Sequence, residues 1–204
     1  MPPRSYVSSV RNAAAAETRD RVIEAASRTL REGESIARFS LDTVAKAAGV
    51  TRLTVYNQFG SRRGLLEAVF DEIAQAGGLH QIADIMTMSD PRAALDRMVE
   101  VFCGFWSRDS AVGRLHDAMA TDPDFAEAVR ERNERRRKIL IVLIDRIASK
   151  AASQARKDAV DLIFALTSYP TFASLSVGRS RDEVCRLVQE ACHAALAPLS
   201  NPSS

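Results

Sequence analysis

The chain has few residues that break helices or bend the backbone sharply. Only 9 Gly and 7 Pro occur among 204 residues, and no stretch keeps the alternation of apolar and polar residues that marks a half-buried strand. Apolar residues instead recur at helical spacing along most of the chain. The pattern argues against an extensive β-sheet and predicts an all-α fold.

Cysteines and long apolar runs are also scarce. The three cysteines, Cys103, Cys185 and Cys192, are odd in number and lack the spacing of a disulfide framework, so we expect a reducing compartment and no disulfide. No apolar run approaches the roughly 18 residues of a membrane span, and the N-terminus lacks the apolar core of a signal peptide. We therefore expect a soluble, cytoplasmic protein with no membrane partner.

The chain has no large excess of either charge, since its formal net charge is only +2. The charge is unevenly distributed, however. The first 66 residues contain eleven Lys and Arg against six Asp and Glu, a net +5, which leaves −3 for the rest. Positive charge concentrated in one segment is what a nucleic-acid-binding region requires.

Glycine, proline and serine positions divide the chain into four predicted segments. Residues 1–15 are polar and weakly patterned, which predicts a flexible N-terminal arm. Residues 16–77 form a first helical domain that ends at a Gly-Gly pair, and residues 78–198 form a second, larger one. The remaining residues, 199–204, are a Ser- and Pro-rich tail. In the second domain we predict helices at 79–86, 90–107, 110–120, 123–150, 154–176 and 180–197.

The first domain contains two short helices joined by a glycine turn. Ser40 stands at an N-cap position, and apolar residues follow it at helical spacing. Gly49 ends this helix. Thr51 can cap a second helix, whose inward residues are Val55 and Phe59. This arrangement predicts a helix-turn-helix.

The second of these helices presents the chemistry that reads DNA. Because Val55 points inward, Arg, Leu, Thr, Tyr, Asn and Gln side chains are left outside. Arg pairs with guanine, Asn and Gln pair with adenine, Leu and Thr contact the thymine methyl, and Tyr reaches phosphate. Arg62 lies at the start of the next helix, where we predict that it contacts a phosphate. A merely solvated polar face is the alternative, which the basic segment and the Gly49 corner disfavour.

The segment SLDTVAKAAGVTRLTVYNQFGSRRGLLEAVF resembles the DNA-binding region of the TetR family of bacterial transcriptional regulators. The positions that fill the family pattern are Val44, Ala45, Ala48, Gly49, Val50, Thr54, Tyr56, Phe59, Ser61 and Leu65. Arg62 replaces the usual Lys, and segment 33–39 is slightly longer than usual. Gly64 lies inside the fourth helix, where glycine costs about 1 kcal/mol of helix propensity. Two later segments, DPDFAEAVRERNERR and RDEVCRLVQEACHAAL, resemble the family only loosely.

The resemblance implies an all-α fold in which an N-terminal three-helix helix-turn-helix DNA-binding domain, with a linking fourth helix, precedes a larger helical ligand-binding and dimerisation domain. It implies a repressor that binds a palindromic double-stranded DNA operator as a homodimer and is released by a small effector. No cofactor, metal or catalytic residue is implied. The implied DNA contacts are Ser40, Thr43, Thr51, Arg52, Leu53, Thr54, Tyr56, Asn57, Gln58 and Arg62.

The last two predicted helices are apolar on more than one side. In 180–197 a stripe that contains Val184, Leu187 and Val188 is widened by Cys185 and Cys192, and the preceding helix shows the same excess. These helices can pair with their copies in a four-helix dimer interface, as the resemblance also implies. Burial within one protomer is the alternative.

Methionine and aromatic residues of the second domain are candidates for an effector pocket, which the resemblance implies. Ordinary core packing explains any single one of them equally well. Few ionisable residues accompany them, which favours a largely apolar or aromatic effector. The candidates are Met98, Phe102, Phe105, Trp106, His116, Met119, Phe164, Tyr169 and Phe172.

Two other functions fit parts of the sequence. An architectural protein would bind DNA without sequence preference. A small helical enzyme would use Cys103 as a nucleophile with His116 and Asp117, although no activating motif surrounds that cysteine. The Cys-x6-Cys-His spacing near residue 192 does not match the usual zinc sites. The basic run RERNERRRK at 130–138 is interpreted as a solvated helix face rather than a second nucleic-acid patch.

Overall fold

The computed structural model of the chain describes residues 4–33 and 35–200, with side chains described for 12–33 and 35–199. Every regular element in these residues is helical, which confirms the all-α prediction. Short 3-10 helices occur at Ile36–Arg38, Leu79–Gln81 and Ala197–Ser200. The α-helices are α1 (Arg4–Glu32), α2 (Leu41–Ala48), α3 (Arg52–Phe59), α4 (Arg62–Ala76), α5 (Ile82–Ile85), α6 (Pro91–Arg108), α7 (Ala111–Thr121), α8 (Pro123–Ile147), α9 (Ser153–Leu166), α10 (Tyr169–Leu175) and α11 (Arg181–Leu196).

Two elements differ from the sequence prediction. Helix α1 begins at Arg4, so the predicted arm is helical from there on and residues 1–3 lie outside the described part. An Ala run at 13–16 explains this extension, because alanine has the highest helix propensity. The predicted helix 154–176 is two helices, since Ser168 caps α10 with Pro170 in its first turn, a position that suits the missing N–H of proline. The predicted tail begins in the last 3-10 helix, and 201–204 lie outside the described part.

The chain divides into two compact units. The first runs to Glu72 and adds Ser110–Ala126, and the second consists of Ile73–Asp109 and the chain from Glu127 on. Helix α7 therefore belongs to the first unit, where it packs against α1 and the 3-10 helix that precedes α2. The sequence prediction places this helix in the second domain, because chain order alone does not reveal which neighbour its apolar stripe covers.

The corner between α2 and α3 is fixed by one glycine. Gly49 has φ 66°, a left-handed conformation that L side chains adopt only with strain. The N–H of Val50 donates to the carbonyl of Ala45 at 3.0 Å, which closes the end of α2. Val55 on α3 and Val44 on α2 are fully buried. The predicted inward position of Val55 is confirmed.

In the second unit, α6 packs against α5, α10 and α11, and α9 packs against α10 and α11. The core includes Leu95, Met98 and Phe105 from α6 and Leu140 and Ile144 from α8, all almost completely buried. Across the helices of the described part, none is long and apolar enough for a membrane crossing.

The glycine inside α4 has a structural reason. A Cβ atom on Gly64 would lie 2.1 Å from the carbonyl oxygen of Phe59 and 3.2 Å from its carbonyl carbon. Real Cβ atoms do not approach backbone so closely, so the turn from α3 into α4 closes tightly only with glycine at this position. Judged by helix propensity alone, the glycine at position 64 would only destabilise α4.

We predict that Gly64→Ala destabilises the protein. The methyl group forces the α3–α4 turn apart, and overpacking of this kind lowers the free energy of unfolding by about 1–3 kcal/mol. Gly104→Ala in α6 is the matched control, because a Cβ there meets nothing within 4 Å, and it should stabilise by up to about 1 kcal/mol. Urea unfolding measures both. Equal stabilisation by the two substitutions would contradict the close approach.

Candidate functional site

Four of the predicted DNA contacts are hydroxyl residues that start helices. Thr51 Oγ1 caps α3 by accepting the Thr54 N–H at 3.1 Å, and Ser40 Oγ caps α2 by accepting the Thr43 N–H at 3.1 Å. Thr43 Oγ1 also donates to the carbonyl of Arg38 at 3.1 Å. These side chains therefore fix where the two helices begin. They lie at the helix N-termini, where backbone N–H groups attract anions.

The outer face of α3 exposes large side chains to water. Leu53 is 65% exposed and Tyr56 is 55% exposed, and Arg52 and Asn57 are also exposed. Residues three and four apart are neighbours on a helix, so these four form one face on the side opposite the buried Val55. We call these four residues the α3 face. Neighbouring exposed apolar side chains of this size mark an interaction surface.

The remaining residue of the predicted reading helix is turned toward α1. Gln58 Nε2 donates to the Ala15 carbonyl at 3.4 Å, and Arg19 donates to the Gln58 carbonyl at 3.4 Å. The Arg19 guanidinium also lies 4.6 Å from the centre of the Phe59 ring. Gln58 is therefore placed to anchor α3 on α1, and the structure does not bring it onto the α3 face. The helix that holds it includes part of the predicted N-terminal arm.

Arg52 is available to a new partner. It pairs with Asp42 at 3.2 Å, but both side chains are about two-thirds exposed. An exposed ion pair contributes only about 0–1 kcal/mol. A phosphate or a guanine edge can therefore replace the carboxylate at little cost.

Arg62 makes several contacts within the first unit. Its side chain is 27% exposed and pairs with Asp122 at 2.9 Å. Its Nε donates to the Phe39 carbonyl at 3.1 Å and its Nη2 donates to the Ile36 carbonyl at 3.4 Å. Asp122 also caps α8 by accepting the Phe125 N–H at 3.0 Å. The structure thus gives Arg62 internal contacts that the sequence did not indicate, because its acidic partner lies far along the chain. The phosphate contact of Arg62 stays a prediction.

We predict that Arg62→Ala mainly reduces stability. Loss of hydrogen bonds to a partly buried charged group should lower the free energy of unfolding by about 1.5–3 kcal/mol. Arg63→Ala is the matched control, since Arg63 pairs with Glu67 on the surface of the same helix and its loss should cost less than about 0.5 kcal/mol. Urea unfolding compares them. An Arg62→Ala protein that is as stable as the control, but whose DNA binding depends less on salt, would instead support the predicted phosphate contact.

Four of the candidate effector residues come together in the second unit. The Trp106 ring lies 4.4 Å from that of Phe105, 5.6 Å from that of Tyr169 and 6.0 Å from that of Phe102, between ring centres. Its Nε1 donates to the Thr167 carbonyl at 3.1 Å. We call Phe102, Phe105, Trp106 and Tyr169 the aromatic cluster.

A small cavity adjoins the aromatic cluster. Its volume is about 10 Å³, roughly the minimum that one water molecule needs. The cavity is therefore closed to a larger molecule unless side chains move. The residues that line it are Val99, Phe102, Cys103, Trp106, Leu166, Thr167, Phe172 and Val188.

Two of the predicted effector residues do not belong to this group. His116 and Met119 lie on α7, which is part of the first unit. His116 is exposed and Met119 is half-buried. They thus lie in a different unit from the aromatic cluster, and their part in an effector pocket stays a prediction.

Sequence reasoning missed Arg136. It lies within the run interpreted as a solvated face, yet it is only 5% exposed. Its Nη1 donates to the Thr167 carbonyl at 2.6 Å and to the Thr167 hydroxyl at 3.3 Å. Its guanidinium lies 4.1 Å from the Phe164 ring centre and 5.3 Å from that of Phe102. A signal was present, since Arg136 falls on the helical line of the buried residues Leu140 and Leu143.

The charge of Arg136 is poorly compensated. Burial lowers the pKa of Arg136 to about 10, and the neighbouring Arg137 contributes to the shift. Its Nε–H has no acceptor, and its only ion-pair or hydrogen-bond partner in the described residues is Thr167. An unpaired buried ion costs several kcal/mol, which two cation–π contacts of about 2 kcal/mol each offset only in part. A residue buried at such a cost beside a cavity is a candidate for function.

Cys103, the cysteine of the enzyme alternative, does not have the properties of an activated nucleophile. The Cys103 thiol is hydrogen-bonded to Cys185 across α6 and α11, and this bond together with burial raises the pKa of Cys103. Burial also raises the pKa of Cys192 to about 12. Nucleophilic cysteines need the thiolate form. Among residues that the structure describes, no group of His, Cys, Asp and Glu is arranged to hold a metal ion.

The last long helices expose part of their apolar surface. Leu162 on α9 is 50% exposed and Leu187 on α11 is 38% exposed. Most of the predicted α11 stripe, including Val184, Val188 and Cys192, is buried within the protomer. The alternative of internal burial therefore accounts for the inner side of α11 but leaves its outer side unexplained.

Comparison with known proteins finds a family match in the first unit and one curated relative. Residues 22–69 match the family model described as bacterial regulatory proteins, tetR family. The HTH-type transcriptional regulator EthR of Mycolicibacterium smegmatis is 29% identical over 114 residues, which are 54% of this chain and 52% of the relative. This chain thus spans about half the length of the curated relative it matches.

Solved structures extend the likeness to the fold of most of the chain. A TetR-like transcriptional regulator from Rhodococcus sp. RHA1 has a TM-score of 0.69 at 17% identity, over 88% of this chain and 96% of that chain. NalD of Pseudomonas aeruginosa, described as the secondary repressor of the MexAB-OprM multidrug efflux pump, has a TM-score of 0.65 at 19% identity, over 90% and 97% of the two chains. At these identities the likeness shows the fold.

Proposed function

We propose that this chain, whose residues 22–69 match the TetR family model and whose fold is similar to that of a TetR-like regulator, is a ligand-responsive transcriptional repressor of the cytoplasm. It binds a palindromic operator as a homodimer and leaves the DNA when a small, largely apolar molecule binds the second unit. The α3 face is the observation that carries the proposal.

In this proposal α3 lies in the major groove, which admits an α-helix. Arg52 exchanges Asp42 for a guanine or a phosphate, Asn57 pairs with adenine, Leu53 contacts a thymine methyl and Tyr56 donates to a phosphate. Ser40 and Thr43 on α2, with Thr51 and Thr54 on α3, bring helix N-termini to the phosphates. Gln58 and Arg62 contribute indirectly, because their contacts hold these helices in place.

We predict that Tyr56→Ala and Leu53→Ala each weaken operator binding while the protein stays folded. Loss of one good contact costs about 1–3 kcal/mol, or roughly 5- to 150-fold in affinity. Val177→Ala is the matched control, because Val177 is 80% exposed but lies in the second unit. Fluorescence anisotropy with the chain's own upstream DNA and with shuffled DNA, at one salt concentration, measures the effect.

The same titration tests sequence specificity. The wild-type protein should bind its own upstream DNA about 10³-fold or more tightly than shuffled DNA. Equal affinity for the two would favour the architectural alternative, and unchanged binding by both variants would remove α3 from the interface.

The homodimer forms through α9 and α11 in this proposal. Leu162 and Leu187 supply apolar contacts on their outer sides, and the small residues Ala191 and Ala195 let the helices of two copies approach closely. A two-fold axis then relates two α3 faces, which fits two half-sites one helical turn apart.

We predict that Leu187→Glu produces a monomer. A charge at the centre of an apolar interface is desolvated without a partner, which strongly opposes association. Ile141→Glu on α8 is the matched control, since Ile141 is similarly exposed at 43% but does not lie on α9 or α11. Sedimentation velocity distinguishes the states. A dimeric Leu187→Glu protein together with a monomeric Ile141→Glu protein would move the interface to α8.

Effector control requires a route between the two units. Helix α4 begins in the first unit and ends in the second, so it can carry a shift from the effector to α3. The effector must prefer the state that does not bind DNA, and moving the population from 99:1 to 1:99 needs about 5.5 kcal/mol of differential affinity. The enzyme alternative is disfavoured, since Cys103 is a hydrogen-bonded, buried thiol.

A further inference from the structure

The position of Arg136 narrows the chemical class of the effector, an inference that rests on the proposed function. We propose that the effector is an organic carboxylate, whose negative group binds Arg136 and whose apolar body lies between Phe102, Trp106 and Phe172. From the sequence we expect a largely apolar molecule, because the run that contains Arg136 is interpreted as a solvated helix face.

The cation stands next to the cavity wall. Two of the residues that line the cavity also contact Arg136, since Thr167 accepts its Nη1–H and the Phe102 ring packs against its guanidinium. The guanidinium is therefore in contact with two residues of the cavity wall.

The guanidinium has unused donors of the right geometry. Arginine has five N–H donors in a planar fork, and Thr167 occupies only Nη1. The orphan Nε–H and a neighbouring Nη–H are parallel, and such a pair binds both oxygens of a carboxylate. A neutral ligand could accept a hydrogen bond from this donor but would leave the charge unpaired.

The surroundings favour an anion over other polar groups. Arg137 adds a second positive charge beside the site, and the carboxylate partners that its ion pairs use, Glu134 and Asp161, are more than half exposed. Among the residues that the structure describes, no carboxylate reaches Arg136. The site is thus a buried positive charge surrounded by aromatic rings, which suits an amphipathic anion.

Trp106 offers a direct measurement, because it is the single tryptophan of the chain and hydrogen-bonds the carbonyl that Arg136 also contacts. The probes are octanoate and cyclohexanecarboxylate, each compared with its alcohol, 1-octanol or cyclohexanemethanol, in titrations of the full chain up to about 1 mM. We expect each carboxylate to change Trp106 fluorescence and to bind at least about tenfold more tightly than its alcohol.

Variants assign this preference to one side chain. Arg136→Met, an apolar residue of similar length, should abolish the carboxylate preference and leave alcohol binding within about twofold. Arg136→Lys keeps the charge but loses the fork, and should retain part of the preference. Arg135→Met removes an exposed neighbouring arginine and should change nothing. The Arg136→Lys protein and the wild-type comparison decide the question if Arg136→Met does not fold.

The inference is overturned if carboxylates and alcohols bind the wild-type protein equally, if no carboxylate perturbs Trp106, or if Arg135→Met loses the preference as fully as Arg136→Met. Operator affinity, measured in parallel, separates this failure from failure of the proposed function. Operator binding without any carboxylate effect refutes only the anion site. Carboxylate binding through Arg136 that leaves operator affinity unchanged refutes only the effector-released repressor.

Discussion

The function of this chain depends on the corner that sets α3 against α2. Gly49 supplies the left-handed turn, Thr51 fixes the first residue of α3, and Val55 holds the helix from within. With these three positions fixed, helical geometry decides which side chains point outward. The exposure of Leu53 and Tyr56 follows from this constraint rather than from any property of their own.

Local signals in the sequence therefore predict this part of the molecule well. Caps, glycine turns and apolar spacing act over a few residues, so the roles of Ser40, Gly49, Thr51 and Val55 follow from the residues around them. The roles of Arg62 and Arg136 do not. Their partners, Asp122 and Thr167, are 60 and 31 residues away, and an arginine looks the same in sequence whether it faces water or a buried carbonyl.

Two other features cannot be predicted from a single sequence: where the backbone approaches a residue closely, and which neighbour a helix packs against. Gly64 reads as a weak helix residue until the Phe59 carbonyl is found where its Cβ would be. Helix α7 reads as part of the second domain until it is found against α1. In both cases the local sequence indicates the helix correctly, but a contact with another part of the chain determines what the residue or helix does.

Arg62 and Arg136 both make internal contacts, but their charges are compensated to different degrees. Arg62 has a carboxylate partner within its own unit, so its charge is balanced and its contacts are those of a structural anchor. Arg136 has only a carbonyl, a hydroxyl and two aromatic faces, so its charge is balanced only in part. A state with an unpaired cation is higher in free energy than one with an anion bound, and burial enlarges the difference. Because a ligand shifts an equilibrium only by its differential affinity for two states, an anion that binds well only when the cavity opens would favour the open state. In the proposed mechanism, an incompletely paired charge inside a closed aromatic core thus provides the energy difference that an effector needs.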